Sequence, residues 1–173
     1  MVEIRALTDA DIDAAAVVHV RGWQRGYAGI VPAGFLDAMD PAALAQWRRT
    51  RPRRAGERSL VAVHDGTVVG FAHYGGYRVE QDEHDPAIGE LYAVYVDPDR
   101  WGTGAGRALL AAARAGLAAA GFAEMRLWVL EENHRARRFY ERAGLAPDGA
   151  RELYVPRGTG AELPEVRYSV RLG

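Results

Sequence analysis

The chain has 173 residues, of which 49% are hydrophobic and 26% charged, a balance typical of an ordinary globular domain with a substantial core. With 22 basic and 23 acidic residues the formal net charge is −1, which excludes a general attraction to nucleic acid or to an anionic membrane. The absence of cysteine excludes disulfides and a cysteine nucleophile, and the absence of lysine excludes a Schiff base and a Walker A loop.

Targeting and metal-binding signals are equally sparse. No apolar run approaches the roughly 18 to 20 residues that span a bilayer, and residues 1–9 have neither the basic region nor the apolar core of a signal peptide. We therefore expect a cytoplasmic protein with no membrane or nucleic-acid partner. His64, His73 and His84 lack the spacing of metal ligands, so we expect no metal.

The first half of the chain predicts a strand, two helices and a hairpin. A short strand covers residues 2–7, and Thr8 with Asp11 predicts a capping box that begins a helix. The apolar positions of that helix recur at helical spacing, at Ile12, Ala16, Val20, Trp23 and Tyr27. Asp40-Pro41 predicts the start of a second helix, and Asp65-Gly66 predicts a two-residue hairpin turn.

The second half alternates strands with helices. An acidic, proline-containing loop is expected over residues 80–86. The remaining expected elements are strands at 90–96, 125–130, 151–155 and 166–172 and helices at 105–120 and 133–143. We therefore predict an α/β fold with a mixed sheet, in a single domain that covers residues 1–173.

A glycine-rich turn between the strand at 90–96 and the following helix is the most informative motif. Glycine residues at positions 102, 104 and 106 let a ligand approach the backbone, and the helix begins with unpaired N–H groups at its positive end. This predicts a phosphate or pyrophosphate site, with a turn that binds nothing as the alternative. A dinucleotide fingerprint would need glycine at position 107, which is Arg107.

The motif resembles the hallmark of the GNAT superfamily of N-acetyltransferases, Gln/Arg-x-x-Gly-x-Gly/Ala between a strand and a helix. The Gly-x-Gly part falls on positions 104–106, whereas the first position is Trp101. The resemblance implies a mixed, mostly antiparallel sheet flanked by helices, with a splayed central strand pair. It also implies that the pyrophosphate of acetyl-CoA is bound by Gly102, Thr103, Gly104, Ala105, Gly106 and Arg107.

The resemblance extends on both sides of this loop, from residue 90 to residue 144, about a third of the chain. It implies that the backbone of Val94, Tyr95 and Val96 pairs with the amides of pantetheine. Residues 133–144 resemble the family's second coenzyme A segment, in which an asparagine begins a helix that ends in F-Y-x-x-x-G. By this resemblance Asn133 binds the cofactor and the Tyr140 hydroxyl protonates the leaving thiolate; the alternative is a helix cap and a core tyrosine.

Deprotonation of the acceptor amine requires a base, and Glu90 is the candidate because many GNAT relatives place a carboxylate at this strand start. Strand alternation places it on one side with Tyr92 and Val94. A surface carboxylate is the alternative interpretation, and His19 and His73 are the runners-up for the base.

The acceptor pocket is less well defined. By resemblance it is framed by the first helices and the last hairpin, which indicates Trp23, Tyr27 and Phe35, although an aromatic stripe at this spacing also fits a core. The acidic stretch 81–85 is a further candidate for attracting a cationic amine.

Together these features predict an acyl-CoA-dependent N-acyltransferase that moves acetyl from acetyl-CoA to a primary amine of a small molecule. A protein N-terminal or side-chain acetyltransferase and a non-catalytic coenzyme A sensor are the alternatives, and a homodimer is an oligomeric state that this prediction allows.

Overall fold

A computed structural model describes residues 1–78 and 84–173. The strands are β1 (Glu3–Ala6), β2 (Arg58–His64), β3 (Thr67–Arg78), β4 (His84–Val96), β5 (Glu124–Leu130), β6 (Ala146–Tyr154) and β7 (Leu163–Arg171). The helices are α1 (Ile12–Gly26), α2 (Ala33–Asp37), α3 (Pro41–Thr50), α4 (Ala105–Ala119) and α5 (His134–Arg142), with short 3-10 helices at Asp9–Asp11 and Pro98–Arg100.

The seven strands form one sheet in the order β1-β2-β3-β4-β5-β7-β6. Every neighbouring pair is antiparallel except β4 and β5, which are parallel. The mixed, mostly antiparallel sheet flanked by helices therefore confirms the predicted fold class.

A turn and a helix cap form at the positions that the sequence predicts. Asp65 and Gly66 both have positive φ, 49° and 75°, as a two-residue hairpin turn between β2 and β3 requires. Asp40 Oδ1 accepts a hydrogen bond from the Ala42 N–H at 2.9 Å and so caps α3. These features confirm the predicted hairpin and the predicted start of α3.

The predicted loop at 80–86 is wrong at its end, because β4 begins at His84 and residues 85 and 86 belong to the strand. The partner strand supplies the reason, since Tyr77 of β3 pairs with Asp85. Residues 79–83 lie outside the described residues. The five-residue helix α2 was also absent from the prediction, because a single helical turn has no recognisable period.

Two apolar layers enclose the sheet. The larger one packs α4, through Leu109, Leu110 and Leu117, against strand residues such as Leu127 and Tyr168. On the other face, α1 packs on the β2–β3 hairpin, with Ala15 and Val18 against Val61 and Phe71. The two faces are called the α4 face and the α1 face below.

The central parallel pair separates after a short contact. β4 and β5 pair only at Ile88↔Glu124, Gly89↔Met125 and Glu90↔Arg126. Beyond these positions β4 continues to Val96 and β5 to Leu130, and between these two described strands no further pairing occurs. The splayed central pair is therefore present.

A bulge in β4 changes which of its side chains lie on the α1 face and which lie on the α4 face. Ala93 pairs with His73 but Leu91 pairs with Tyr74, so Tyr92 is an extra residue. As a result Leu91 and Val94 both pack on the α4 face, whereas Ala93 and Tyr95 face α1. The expectation from simple alternation that Val94 shares a side with Glu90 is therefore wrong; Glu90 precedes Leu91 and faces α1.

Gly70 of β3 offers a test of this packing. A methyl group there would lie 2.9 Å from the backbone oxygen of Tyr95 and 3.0 Å from Leu109 Cδ1. We expect Gly70→Ala to lower the free energy of unfolding by about 1–3 kcal/mol through overpacking, measured by urea denaturation. Gly34→Ala in α2 is the control, because a methyl group there meets no atom within 4 Å. Equal stability of the two variants would show that the packing of β3, β4 and α4 can accommodate an added methyl group.

Candidate active site

The loop from β4 to α4 presents the first turn of α4 to a cleft. Gly102 and Gly104 have φ of +81° and +93°, and Gly104 is the N-cap residue of α4. Trp101, which stands where the family pattern has Gln or Arg, donates from Nε1 to the Val96 carbonyl at 2.9 Å. The side chain at this position therefore ties the loop to the end of β4, and the backbone N–H groups of the first turn remain for an anion.

A cleft of about 980 Å³ lies beside this helix start. The predicted loop residues Gly102, Thr103, Gly104, Gly106 and Arg107 line it. Five arginine residues line it: Arg100 before the loop, Arg107 in the first turn of α4, and Arg135, Arg138 and Arg142 of α5. Within the described part of the chain, none of these five forms an ion pair with a carboxylate. The cleft is therefore strongly cationic in a chain whose net charge is −1.

A second, smaller cavity of about 120 Å³ lies between the splayed strands. It is lined by β4 residues 91–96, by Trp128 and Val129 of β5, by Asn133, the N-cap residue of α5, and by Tyr140 of α5. Six residues line both spaces, which therefore adjoin: Val94, Val96, Trp101, Arg135, Ala136 and Tyr140.

Tyr140 lies where the two spaces meet. It is 9% exposed, and its ring packs against Phe139 and Tyr168 with centroid distances of 5.2 and 6.3 Å. Burial raises the pKa of the Tyr140 phenol well above its usual range, so the hydroxyl keeps its proton at neutral pH. A buried, protonated phenol in this position is suited to donate a proton.

Asn133 combines the two roles considered for it. Its Oδ1 accepts a hydrogen bond from the Ala136 N–H at 3.2 Å, which caps α5. The same residue lines the cavity between the splayed strands. The cap does not exclude a contact between its amide and a ligand.

Glu90 is 2% exposed and belongs to an ion pair with Arg78. Arg78 donates to Glu90 three times: from its backbone N–H at 2.9 Å, from Nε at 3.3 Å, and from Nη2 at 2.8 Å to the other carboxylate oxygen. The Arg78 guanidinium also lies over the Tyr92 ring, 4.5 Å from its centroid. The surface-carboxylate interpretation is therefore wrong, and the role of Glu90 as a base stays a prediction.

The two runner-up histidines are engaged elsewhere. Burial, with a smaller effect of Arg48, lowers the pKa of His19 to about 3; the ring stacks on Tyr95 at 4.8 Å. Burial lowers the pKa of His73 to about 4, and its Nδ1 lies 2.8 Å from Ser59 Oγ. Both rings are neutral at pH 7 and have little affinity for a proton there.

The three residues predicted for the acceptor lie together on the α1 face. The Trp23 ring is 4.7 Å from that of Tyr27 and 6.2 Å from that of Phe35. Tyr154 of β6 joins them, 6.2 Å from Trp23. Of the three predicted residues, only Tyr27 lines the cavity. Positions 81–83 of the predicted acidic stretch lie outside the described residues.

Some residues that line the cleft or the smaller cavity were not predicted from the sequence. Arg135, Arg138 and Arg142 recur at i, i+3 and i+7 of α5, a spacing that places them on one helix face and that was readable as a basic stripe. Trp128 carried no such signal, because its exposure to the cavity depends on the separation of β4 from β5.

Two further observations concern other classes of protein. Among residues 1–78 and 84–173, no three histidine, aspartate or glutamate side chains converge in a way that would hold a metal ion. In the same part of the chain, every helix is too short or too polar to cross a membrane.

Comparison with known proteins assigns the family. Residues 21–145 match the model of the acetyltransferase (GNAT) family, so the chain belongs to this family of acetyl-CoA-dependent acetyltransferases. It is 37% identical to the uncharacterized N-acetyltransferase YuaI of Bacillus subtilis over 139 residues, which are 77% of this chain and 74% of YuaI.

Solved structures agree with the fold. The PaiA N-acetyltransferase of Thermoplasma acidophilum, in complex with coenzyme A, has a TM-score of 0.72 at 20% identity, covering 99% of both chains. The ribosomal-protein-alanine N-acetyltransferase of Brucella melitensis has a TM-score of 0.72 at 25% identity, covering 98% of this chain and 99% of that one. The residues that line the cleft are suited to the same cofactor, since unpaired N–H groups and arginine side chains complement its phosphates.

Gly104 provides a test of the helix start as the pyrophosphate site. A valine there would be strained at φ +93°, and its side chain would stand on the N-cap residue, where a pyrophosphate would approach the first N–H groups of α4. We expect acetyl-CoA to raise the melting temperature of the wild type, because it binds the folded state, and this rise to disappear in Gly104→Val.

Gly149→Val is the matched control, because Gly149 has the same φ of +93° and lies in β6. It should lower the melting temperature through the same backbone strain and retain the full shift with acetyl-CoA. An undiminished rise of the melting temperature in Gly104→Val would show that the pyrophosphate does not bind at this loop.

Proposed function

We propose that this protein transfers the acetyl group of acetyl-CoA directly to a primary amine of a small molecule. The observation that carries the proposal is the small cavity between the splayed strands, which adjoins the cationic cleft on one side and is bordered by Tyr27 on the other. A space of about 120 Å³ bordered by aromatic rings suits a compact acceptor group better than a folded protein surface.

The cationic cleft would hold the phosphate end of the cofactor. The N–H groups at Gly104, Ala105 and Gly106 point along the start of α4, where the helix dipole favours a pyrophosphate. The arginine residues of α5 add charge that suits the remaining phosphate of coenzyme A. The β4 backbone at Val94, Tyr95 and Val96 has no β5 partner and would pair with the pantetheine amides, apart from the Val96 carbonyl, which accepts from Trp101 Nε1. Asn133 would contact the same arm.

The acetyl group would then lie near Tyr140. A neutral amine nitrogen attacks the thioester carbonyl, a C–N bond forms and the C–S bond breaks. Tyr140 would donate its proton to the departing sulfur, since burial keeps this phenol protonated at neutral pH. The reaction needs no covalent enzyme intermediate, which fits a chain without cysteine.

The acceptor is identified by incubating the protein with acetyl-CoA and a panel of amines and measuring the release of free thiol. The panel contains benzylamine, 1,4-diaminobutane, and a peptide that begins with alanine, the last because the structurally similar Brucella melitensis protein is a ribosomal-protein-alanine N-acetyltransferase. We expect a small amine to have the highest kcat/KM. Turnover of the peptide alone would favour a protein acetyltransferase, and a thermal shift with acetyl-CoA but no thiol release would favour a sensor.

Tyr140→Phe tests the proton donor. It keeps the ring and its packing but removes the hydroxyl, so acetyl-CoA affinity should change little while single-turnover transfer falls by roughly 10²-fold or more. Tyr74→Phe makes the same chemical change in a buried tyrosine of the α4-face core and should leave transfer within about twofold of the wild type. A wild-type transfer rate in folded Tyr140→Phe would make Tyr140 a packing residue.

A further inference from the structure

A second carboxylate besides Glu90 lies on the α1 face, near the start of β7. Glu165 is directly opposite Leu130, the last residue of β5, and directly opposite Glu152 of β6. Opposed residues in antiparallel strands share a face of the sheet. Leu130 packs in the same apolar cluster as Tyr27 and Tyr154, so Glu165 lies on the side of the acceptor aromatic residues.

Titratable groups from several elements surround Glu165. They are Tyr27 after α1, Arg78 of β3, Glu90 and Tyr95 of β4, and Glu152 and Tyr154 of β6. Burial raises the pKa of all three tyrosines, and the negative charge of Glu165 adds to the increase. Glu165 therefore acts electrostatically on Tyr27 and Tyr95, two side chains that line the cavity between the splayed strands.

Glu165 and Glu90 differ in the groups that lie next to their carboxylates. Both oxygens of Glu90 receive hydrogen bonds from Arg78. Glu165 instead faces another carboxyl group, that of Glu152, directly opposite it on β6. Burial first, and then the hydrogen bond and the charge of Glu152, raise the pKa of Glu165 to about 7. A general base works best when its proton affinity matches the working pH.

We propose that Glu165, supported by Glu152, accepts the proton of the incoming ammonium group at the acceptor side of the cavity. This inference rests on the proposed function. It also provides a reason for two acidic side chains to stand opposite each other on β6 and β7, since a pair that shares one proton keeps a negative charge for a cationic amine.

The protons balance as follows. The Glu165 carboxylate removes one N–H proton from R–NH3⁺ and leaves the neutral amine, whose lone pair forms the C–N bond to the acetyl carbonyl. The C–S bond breaks, and the thiolate takes the proton of Tyr140. The nitrogen of the new amide loses its second proton to the Tyr140 oxygen, directly or through water. Glu165 releases its proton to solvent, so the net reaction gives the amide, coenzyme A thiol and one H⁺.

The first measurement is the pH dependence of kcat for the fastest amine of the panel. The wild type should gain activity as pH rises through about 7. Glu165→Gln should lower kcat by roughly 10²-fold and remove this rise. Glu152→Gln should move it to lower pH, because the neighbouring negative charge is lost, whereas Glu162→Gln, at an exposed position just before β7, should leave its midpoint in place. A wild-type kcat and profile in Glu165→Gln would overturn the proposal.

The second measurement needs no acceptor. The folded-state pKa of Glu165, about 7, lies above the unfolded value of about 4.3, so its ionisation destabilises the folded protein as pH rises between these values. The melting temperature of Glu165→Gln relative to the wild type should therefore increase from pH 5 to pH 8. The exposed Glu162, just before β7, provides the control, and Glu162→Gln should show no such trend.

These measurements separate two kinds of failure. A wild type whose melting temperature does not respond to acetyl-CoA would contradict the proposed function. A normal response to acetyl-CoA, combined with a flat melting-temperature difference for Glu165→Gln, would contradict the role of Glu165 alone. If the protein turns over no amine of the panel, the difference in melting temperature between Glu165→Gln and the wild type decides on the role of Glu165.

Discussion

The separation of β4 from β5 is the constraint on which the rest of the site depends. Three paired positions hold the strands together, and six residues of β4 then continue without a partner on that side. Backbone N–H and C=O groups in the interior need hydrogen-bond partners, so an unpaired strand edge next to a cavity is costly without a ligand. A cofactor arm that carries amide groups satisfies this edge as a missing strand would. The sheet thus specifies the kind of ligand before any side chain does.

Charge then divides the site into two ends. The donor end is lined by five arginines around a helix N-terminus, in a chain that has almost equal numbers of acidic and basic residues. The side proposed for the acceptor carries Glu90, Glu152 and Glu165 with Arg78 among them. Opposite signs at the two ends suit an anionic donor and a cationic acceptor that approach from opposite directions, because each end attracts one and repels the other.

Aromatic side chains join these ends. Tyr95, which the bulge at Tyr92 turns toward α1, stacks on His19 and lies 6.4 Å from Trp23. Tyr140 reaches the same cavity from α5. Burial raises the pKa of both tyrosines, so these phenols stay neutral and remain available as hydrogen-bond donors at the point where the acetyl group would pass. The bulge therefore sets the orientation of Tyr95, since a regular strand would turn this side chain to the other face.

The sequence by itself determined the features that depend on a few adjacent residues. The Asp65-Gly66 turn, the Asp40 cap and the glycine loop before α4 follow from local backbone preferences, which need no distant contact. The cofactor motif has the same local character, because one loop and one helix start suffice for a phosphate site. The arginine stripe of α5 was also readable, through helical spacing.

Tertiary structure alone decided the arrangement of the acceptor side. The opposition of Glu152 and Glu165 and the pairing of Arg78 with Glu90 depend on strand register over long sequence separations. The orientation of Tyr95 depends on one extra residue in β4, and a shift of one residue reverses every following side chain. Local sequence does not encode register, which is selected by the packing of the whole sheet against its helices. The proposed cofactor site was therefore visible in the sequence, whereas the opposition of Glu152 and Glu165 emerged only from the folded chain.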